Sequence, residues 1–271
     1  MSATEPLALT LLGLAVRLET NDPELRERLA LCYQPVLAAT TADGLRGALE
    51  RGPHGFRVVV DGRAVRYEAD PTAAVRALNH EVLQALMRRC RAHYFVHAAV
   101  LDWRGRALVL PGLSRAGKST LALALVLAGA RYLSDELLAF TSAGAAEPVP
   151  RALKIRDECV EYFPEFAERF VGMGEGRFLP FSALPSDVLA GPTPIGAIVV
   201  PRWSPAGTDV LTPLSRGEAL LALAASSLNF GTHRETSIDW LAELVDEALT
   251  FALHWREPRA AARALLVALT L

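Results

Sequence analysis

Apolar residues recur along this chain with two periods, every second residue and every third or fourth. The switches between them outline its elements. Residues 7–18 are apolar except at Thr10, Gly13 and Arg17, which predicts a strand or a strand pair around Gly13. Asn21-Asp22-Pro23-Glu24 predicts a helix start, with a capping Asx, Pro in the first turn and an acid at the positive helix end; the helix runs to about Tyr33. Arg57-Val58-Val59-Val60, Asp61-Gly62 and Ala64-Val65-Arg66-Tyr67 read as a hairpin with an Asp-Gly turn. Over 72–93, Val75, Leu78, Val82, Leu83, Leu86 and Met87 fall at helical spacing. Residues 1–92 therefore read as a small α+β domain.

The pattern changes from residue 93. Apolar strands at 94–101 and 107–110 are joined by Asp102-Trp103-Arg104-Gly105-Arg106. A Gly-containing turn follows, then a helix over 118–128 that stops at Gly129, a natural C′ residue. Residues 131–133 form a short strand entering Ser134-Asp135-Glu136, and 137–140 continue apolar. Strand, loop, helix and strand make a βαβ-like unit, whose ligand loops lie at strand ends. Beyond it a strand is expected at 149–155 and a helix at 157–170, interrupted at Pro164. A long Gly- and Pro-rich loop at 172–194 separates these from further strands at 195–200, 209–214 and 251–255. Helices are expected at 218–228, 238–249 and 259–269. The fold class is α/β to α+β, with a larger domain over 93–271 that ends in helices. There is no internal repeat.

Composition narrows the function classes. With 51% hydrophobic and 21% charged residues the chain folds rather than staying disordered. A formal net charge of −2 gives no support to nucleic acid as a partner. The longest apolar run, 121–130, is far short of the roughly 20 residues that span a bilayer. The first residues lack a basic segment and a small-residue cleavage site, so no signal peptide is read there. Cys32, Cys90 and Cys159 are odd in number and lack metal spacing, which fits reduced thiols. The expectation is a soluble, cytoplasmic protein with no membrane partner.

One motif carries chemistry. Gly112-Leu113-Ser114-Arg115-Ala116-Gly117-Lys118-Ser119 fits G-x-x-x-x-G-K-[ST], between an apolar strand and an apolar helix. Glycines let the backbone curl so that successive N–H groups, including those at Ser114, Arg115 and Ala116, meet one anion. The helix that follows adds its positive end. Lys118 reaches the β- and γ-phosphates, Ser119 offers its hydroxyl to Mg²⁺, and Thr120 reaches a phosphate. One helix later, Asp135 and Glu136 end a strand expected beside the phosphate-loop strand. Mg²⁺ takes carboxylate oxygens next to substrate phosphates, so one acid suits the metal, with Ser119, and the other suits an attacking hydroxyl. His97, alone on an apolar strand, is ordinarily a core histidine.

Three parts in order now stand out: V-H-A-A around His97, L-P-G-L-S-R-A-G-K-S-T over 110–120, and Y-L-S-D-E over 132–136. In these the chain resembles the bacterial HPr kinase/phosphorylase family, and more closely the shorter HPr-kinase-related proteins. The likeness covers 94–140. It continues more weakly through Pro150-Arg151-Ala152-Leu153-Lys154, Val199-Val200-Pro201-Arg202 and the helical C-terminus. The resemblance implies a core like that of phosphoenolpyruvate carboxykinase and phosphate transfer from ATP to a protein serine. It implies that Lys118, Ser119 and Thr120 hold phosphate and Mg²⁺, that Asp135 and Glu136 stand at the family's paired aspartates, and that His97 stands at its active-site histidine. The chain departs from the family at Glu136, where the family has Asp, and at Arg115, where Gly is common. It lacks the downstream E-x-R-G-x-G signature, so HPr as substrate and the reverse reaction do not carry over.

The expected function is an ATP- and Mg²⁺-dependent kinase acting on a hydroxyl, with a serine of a protein or peptide as acceptor. Asp135 binds the metal, Glu136 orients or deprotonates the acceptor, and the N-terminal segment recruits it. Lys154, Arg156 and Arg202 are further candidates to neutralise phosphate charge, and Arg177 lies in the loop that covers the nucleotide or receives the acceptor. A non-catalytic nucleotide-binding scaffold and a small-molecule hydroxyl kinase stand as alternatives. The apolar residues Leu241, Leu244, Val245, Leu249, Leu265, Leu266 and Leu269 either pack the core or build a homo-oligomer.

Overall fold

The computed structural model describes residues 5–38, 44–172 and 176–270 as a mixed α/β protein. The start of the chain, read above for a signal peptide, lies in part outside the described residues, as do 173–175 of the expected loop. The first elements are β1 (Leu7–Leu11), β2 (Leu14–Thr20), α1 (Pro23–Tyr33), β3 (Leu45–Gly52), β4 (Gly55–Val60), β5 (Arg63–Glu68) and α2 (Pro71–Arg89). They form a five-stranded sheet in the order β1-β2-β3-β4-β5. Only β2 and β3 are parallel, as the α1 crossover between them requires.

Local chemistry explains these elements. The Asp22 carboxylate accepts the backbone N–H of Glu24 at 2.9 Å and of Leu25 at 3.2 Å, which caps α1. Asp61 and Gly62 both take the left-handed backbone that a two-residue hairpin turn between right-twisted strands demands, at φ +49° and +77°. Helix α2 buries Val75, Leu78, Val82 and Leu86 in the same core as Leu18, Leu49 and Val58 of the sheet. It stops at Arg89 rather than running to 93, since Cys90 leaves helical geometry. Strand β3 was not expected: its Arg, Glu and Gly content masks the alternation by which Leu45 and Leu49 are buried.

The remaining elements are β6 (Tyr94–Val96), β7 (Ala98–Trp103), β8 (Arg106–Pro111), α3 (Lys118–Leu127), β9 (Arg131–Ser134), β10 (Leu138–Phe140), β11 (Ala145–Glu147), β12 (Leu153–Ile155), β13 (Val171–Gly172), β14 (Arg177–Leu179), β15 (Thr193–Trp203), β16 (Val210–Pro213), α4 (Arg216–Ala225), α5 (Ser237–Glu247), β17 (Leu249–Trp255) and α6 (Pro258–Ala268). In the main sheet β8 has antiparallel β7 on one side and parallel β15 on the other, and β15 pairs in parallel with β17. Helices α3 and α6 bury Leu121, Leu125, Leu265 and Leu266 in a core with Leu108, Leu110 and Leu253. Helices α4 and α5 bury Leu223, Leu241 and Val245 in another, with Val109 and Ile198. Strands alternate their side chains between faces, so β7, β8, β9 and β15 feed both cores. Among the described residues no helix is long and apolar enough to cross a membrane.

Several expectations need correction. The strand expected over 94–101 is broken at His97: β6 pairs with β10, whereas β7 pairs with β8 and β9. Strand β9 lies beside β7 and not beside the phosphate-loop strand β8, because β7 folds back through the Arg104-Gly105 turn and takes that place. The helix expected at 157–170 is instead two 3₁₀ segments, Asp157–Tyr162 and Pro164–Phe166, split by Pro164 and anchored by buried Phe163, Phe166 and Phe170. The strand expected at 149–155 shrinks to β12, and the long loop contains β14 and the start of β15.

Candidate functional site

The loop from Gly112 to Gly117 joins the end of β8 to the start of α3. Its curl is built from positive φ angles at Gly112 (+154°), Arg115 (+73°) and Gly117 (+80°). Gly117 is required twice over. Its backbone is left-handed, and a Cβ there would lie 2.3 Å from Cζ2 of Trp255, a fully buried indole at the end of β17. As N-cap of α3 it offers no side-chain hydrogen bond, so the helix end faces the loop unblocked. Arg115 holds a left-handed conformation that costs a side-chain-bearing residue about 1–2 kcal/mol. That is the physical reason a Gly suits this position.

Lys118 is the first residue of α3, and its ammonium is folded across the loop. It donates to the carbonyls of Gly112 at 2.7 Å and Leu113 at 3.0 Å. Burial pulls its pKa below the ordinary value, against the attraction of Asp135 and Glu136.

The acid pair follows β9. Ser134 Oγ accepts the backbone N–H groups of Glu136 at 3.3 Å and Leu137 at 3.0 Å, which fixes the turn that presents the acids. Asp135 is buried, with the Tyr132 hydroxyl 2.9 Å away and a hydrogen bond to Ser119. Burial, and then the adjacent Glu136 charge, raise its pKa to about 6, against the pull of Arg151 and the two hydroxyls. Glu136 behaves in the opposite way. It forms an ion pair with Arg151, which holds its carboxyl below the usual carboxylate range although the residue is partly buried. Two adjacent carboxyls thus have environments that push their pKa values apart, a pattern typical of paired acids with different roles.

A cleft of about 550 Å³ brings these groups together. His97, Ser114, Arg115, Gly117, Lys118, Ser119, Thr120, Asp135 and Glu136 line it, as do Lys154, Arg156, Asp157 and Glu158. His97 sits at the break between β6 and β7. Its N–H donates to the Ser226 carbonyl at 2.7 Å, and its carbonyl accepts the Gly112 N–H at 3.4 Å, so it anchors the base of the loop. Burial, and then Lys118, lower its pKa, which leaves a neutral imidazole at pH 7. The other basic candidates divide. Lys154 lines the cleft with its ammonium 5.9 Å from the centre of the Phe178 ring, and Arg156 pairs with Glu158 at 2.8 Å. Arg177 pairs with Asp157 at 2.9 Å. Arg202 is exposed near the end of β15 and is not among the cleft-lining residues.

Sequence reasoning missed Tyr132, Arg151 and Trp255 as parts of this site. Tyr132 and Trp255 read only as residues of short strands, and nothing in the linear spacing joins Arg151 to Glu136, fifteen residues earlier. Among the described residues no group of three or more His, Cys, Asp or Glu side chains could hold a metal ion by itself. No known protein family and no curated protein matches the chain.

Proposed function

We propose that this protein is a kinase that transfers the γ-phosphate of ATP to a hydroxyl, with a serine of a protein or peptide as acceptor. The observation that carries the reading is one cleft in which a phosphate loop and helix N-terminus face two carboxyls with opposed pKa shifts. The resemblance to HPr kinases, with their phosphoenolpyruvate-carboxykinase-like core, agrees with it.

The geometry supports the following roles. Backbone N–H groups of residues 114–119 cradle the phosphates, with the start of α3 behind them. Lys118 exchanges its two carbonyl partners for phosphate oxygens, which the ammonium binds as a point charge. Glu136, kept ionised by Arg151, accepts the hydrogen bond of the acceptor hydroxyl. The acceptor oxygen forms a bond to the γ-phosphorus as the bond from that phosphorus to the β–γ bridging oxygen breaks. The hydroxyl proton passes to Glu136, and ADP leaves with the bridging oxygen. Such transfer rests on positioning and charge stabilisation more than on a strong base.

The cleft suits a divalent cation. Asp135 and Glu136 would repel a bare polyphosphate, and Asp135 stands against the Ser119 hydroxyl. One or two carboxylates, a hydroxyl and substrate phosphates make a normal Mg²⁺ donor set. Ser119 and Asp135 would hold the ion, which when bound neutralises phosphate charge. The test is ADP formation and phosphate transfer from γ-labelled ATP with peptide acceptors. Lys118→Ala is expected to lower turnover by about 10²–10³; unchanged turnover in that variant would contradict the assignment.

A further inference from the structure

A second cavity, about 190 Å³, lies between α2 and the acid turn. Thr72, Arg76 and His80 stand at successive turns of α2 and form its mouth, where Arg76 and His80 are exposed. Val75, Asn79 and Leu83 lie on the adjoining stripe of the helix. The facing wall is made of Asp135, Glu136, Arg151 and Lys154. Asp135, Glu136 and Lys154 also line the phosphate-loop cleft, so the two spaces stand back to back.

Two observations mark this cavity as a ligand site. The first is Asn79. It is 8% exposed, its amide NH₂ rests on Cys32 Sγ at 3.6 Å, and its Oδ1 is buried with no hydrogen-bond partner among the described residues. A buried acceptor left unpaired is costly, and an O–H or N–H from a ligand would satisfy it. The second is charge. On the lining Arg76, Arg151 and Lys154 outnumber Asp135 and Glu136, and a concave surface with excess positive charge favours an anion.

We propose that this cavity binds a small 2-hydroxy carboxylate, and that the bound acid slows phosphate transfer on the other side of the shared wall; the second half rests on the kinase reading above. Arg76 and Asn79 are three residues apart on α2, a spacing that makes side chains neighbours. A carboxylate held by the Arg76 guanidinium therefore places a hydroxyl on its next carbon beside Asn79 Oδ1. An ammonium in place of that hydroxyl would return positive charge to a lining that already has an excess. Val75, Leu83 and Phe178 meet the carbon chain. The volume is below the roughly 300 Å³ of ordinary small-molecule pockets, which limits the acid to a few carbons. Regulation runs through Arg151, whose guanidinium lines this cavity and also pairs with Glu136. A carboxylate in the cavity competes for that guanidinium, and Glu136 loses the partner that holds it in place.

The test uses the full chain and four probes at matched ionic strength: L-lactate, propionate, L-alanine and propane-1,2-diol. Binding is read first, in EDTA without nucleotide, from the methyl NMR signals of Val75 and Leu83. L-Lactate is expected to give saturable shifts, with affinity about tenfold weaker for propionate and for the variants Arg76→Gln and Asn79→Leu. Arg76 is exposed, so its variant carries the binding test if Asn79→Leu does not fold. Equal binding of propionate would overturn the role of Asn79. Preference for alanine or the diol would overturn the anion assignment, and silence with all four probes would overturn the site. Turnover is read second, with Mg²⁺-ATP and peptide acceptors. L-Lactate is expected to lower it with the midpoint of the NMR titration. Arg76→Gln is expected to keep the basal rate and to move that midpoint about tenfold higher. Binding with unchanged turnover would overturn the regulation. Absence of turnover without any probe would remove the kinase reading and the regulation with it, and leave the binding site standing.

Discussion

Two neighbouring carboxyls titrate in opposite directions because their surroundings differ. Asp135 is buried against Tyr132 and Ser119, and its pKa rises to about 6; Glu136 is paired with Arg151 and titrates low. A carboxyl whose folded pKa exceeds its unfolded value binds protons more readily when folded. The destabilisation from keeping Asp135 ionised is therefore fully present above about pH 6 and fades as the pH falls toward the ordinary Asp value. Asp135→Asn is expected to stabilise the nucleotide-free protein at pH 7.5 by on the order of 1–3 kcal/mol, with the gain shrinking below pH 6. Denaturant titrations at both pH values check this, and a gain independent of pH would point to another cause. The same substitution removes the proposed metal carboxylate, so activity and stability pull in opposite directions, as they often do at functional sites. The acids were legible in the sequence as a pair, but their opposed environments were not. Tyr132 looked like a strand residue, and Arg151 reaches Glu136 only through the fold.

Among the elements, the Gly112–Gly117 loop is set by what lies under it. Strand β17 brings Trp255 beneath Gly117, and α3 starts at the next residue. Gly117→Ala adds a left-handed backbone penalty to a clash with a buried indole, and is expected to destabilise the fold by about 2–4 kcal/mol. Arg115→Gly relieves left-handed strain on an exposed residue, but also frees the unfolded chain. The net effect is within about 1 kcal/mol in the stabilising direction. Thermal melts of the two variants should therefore move in opposite directions, and a fall in both would contradict the strain assigned to position 115. The loop itself was readable because its chemistry depends on spacing. The strand order around it was not. The apolar run at 94–101 gives no sign that His97 divides two strands, because both halves are buried. The helix expected at 157–170 failed because buried Phe163, Phe166 and Phe170 imitate a helical stripe while Pro164 breaks the ladder.

For the whole molecule, one core links the N-terminal sheet to the segment that follows the acid pair. The N-terminal sheet and α2 share their core with Phe95, Leu137, Ala139 and Val149, and Leu137 directly follows the acid pair. Packing of the first sheet thus bears on the position of Glu136. Leu137→Ala, at a site 3% exposed, is expected to lower stability by about 2–5 kcal/mol in a single unfolding transition. A loss under 1 kcal/mol would show that this core does not hold the acid turn. The net charge of −2 had spoken only against nucleic acid. At the cleft, Arg115, Lys118, Lys154 and Arg156 face Asp135, Glu136, Asp157 and Glu158, so the lining is nearly balanced rather than basic. A polyphosphate would then be held by backbone amides, Lys118 and a divalent cation, not by a positive surface.

That balance defines the most direct test of the central claim. Calorimetric titration with ATP, in Mg²⁺ and in EDTA, would be run on the wild-type protein and on Lys118→Ala. The expected result is saturable one-site binding in Mg²⁺, weakened about 30-fold or more, some 2 kcal/mol, both by EDTA and by Lys118→Ala. Absence of binding in Mg²⁺, or equal affinity in all three conditions, would contradict the assignment of this cleft to Mg²⁺-ATP.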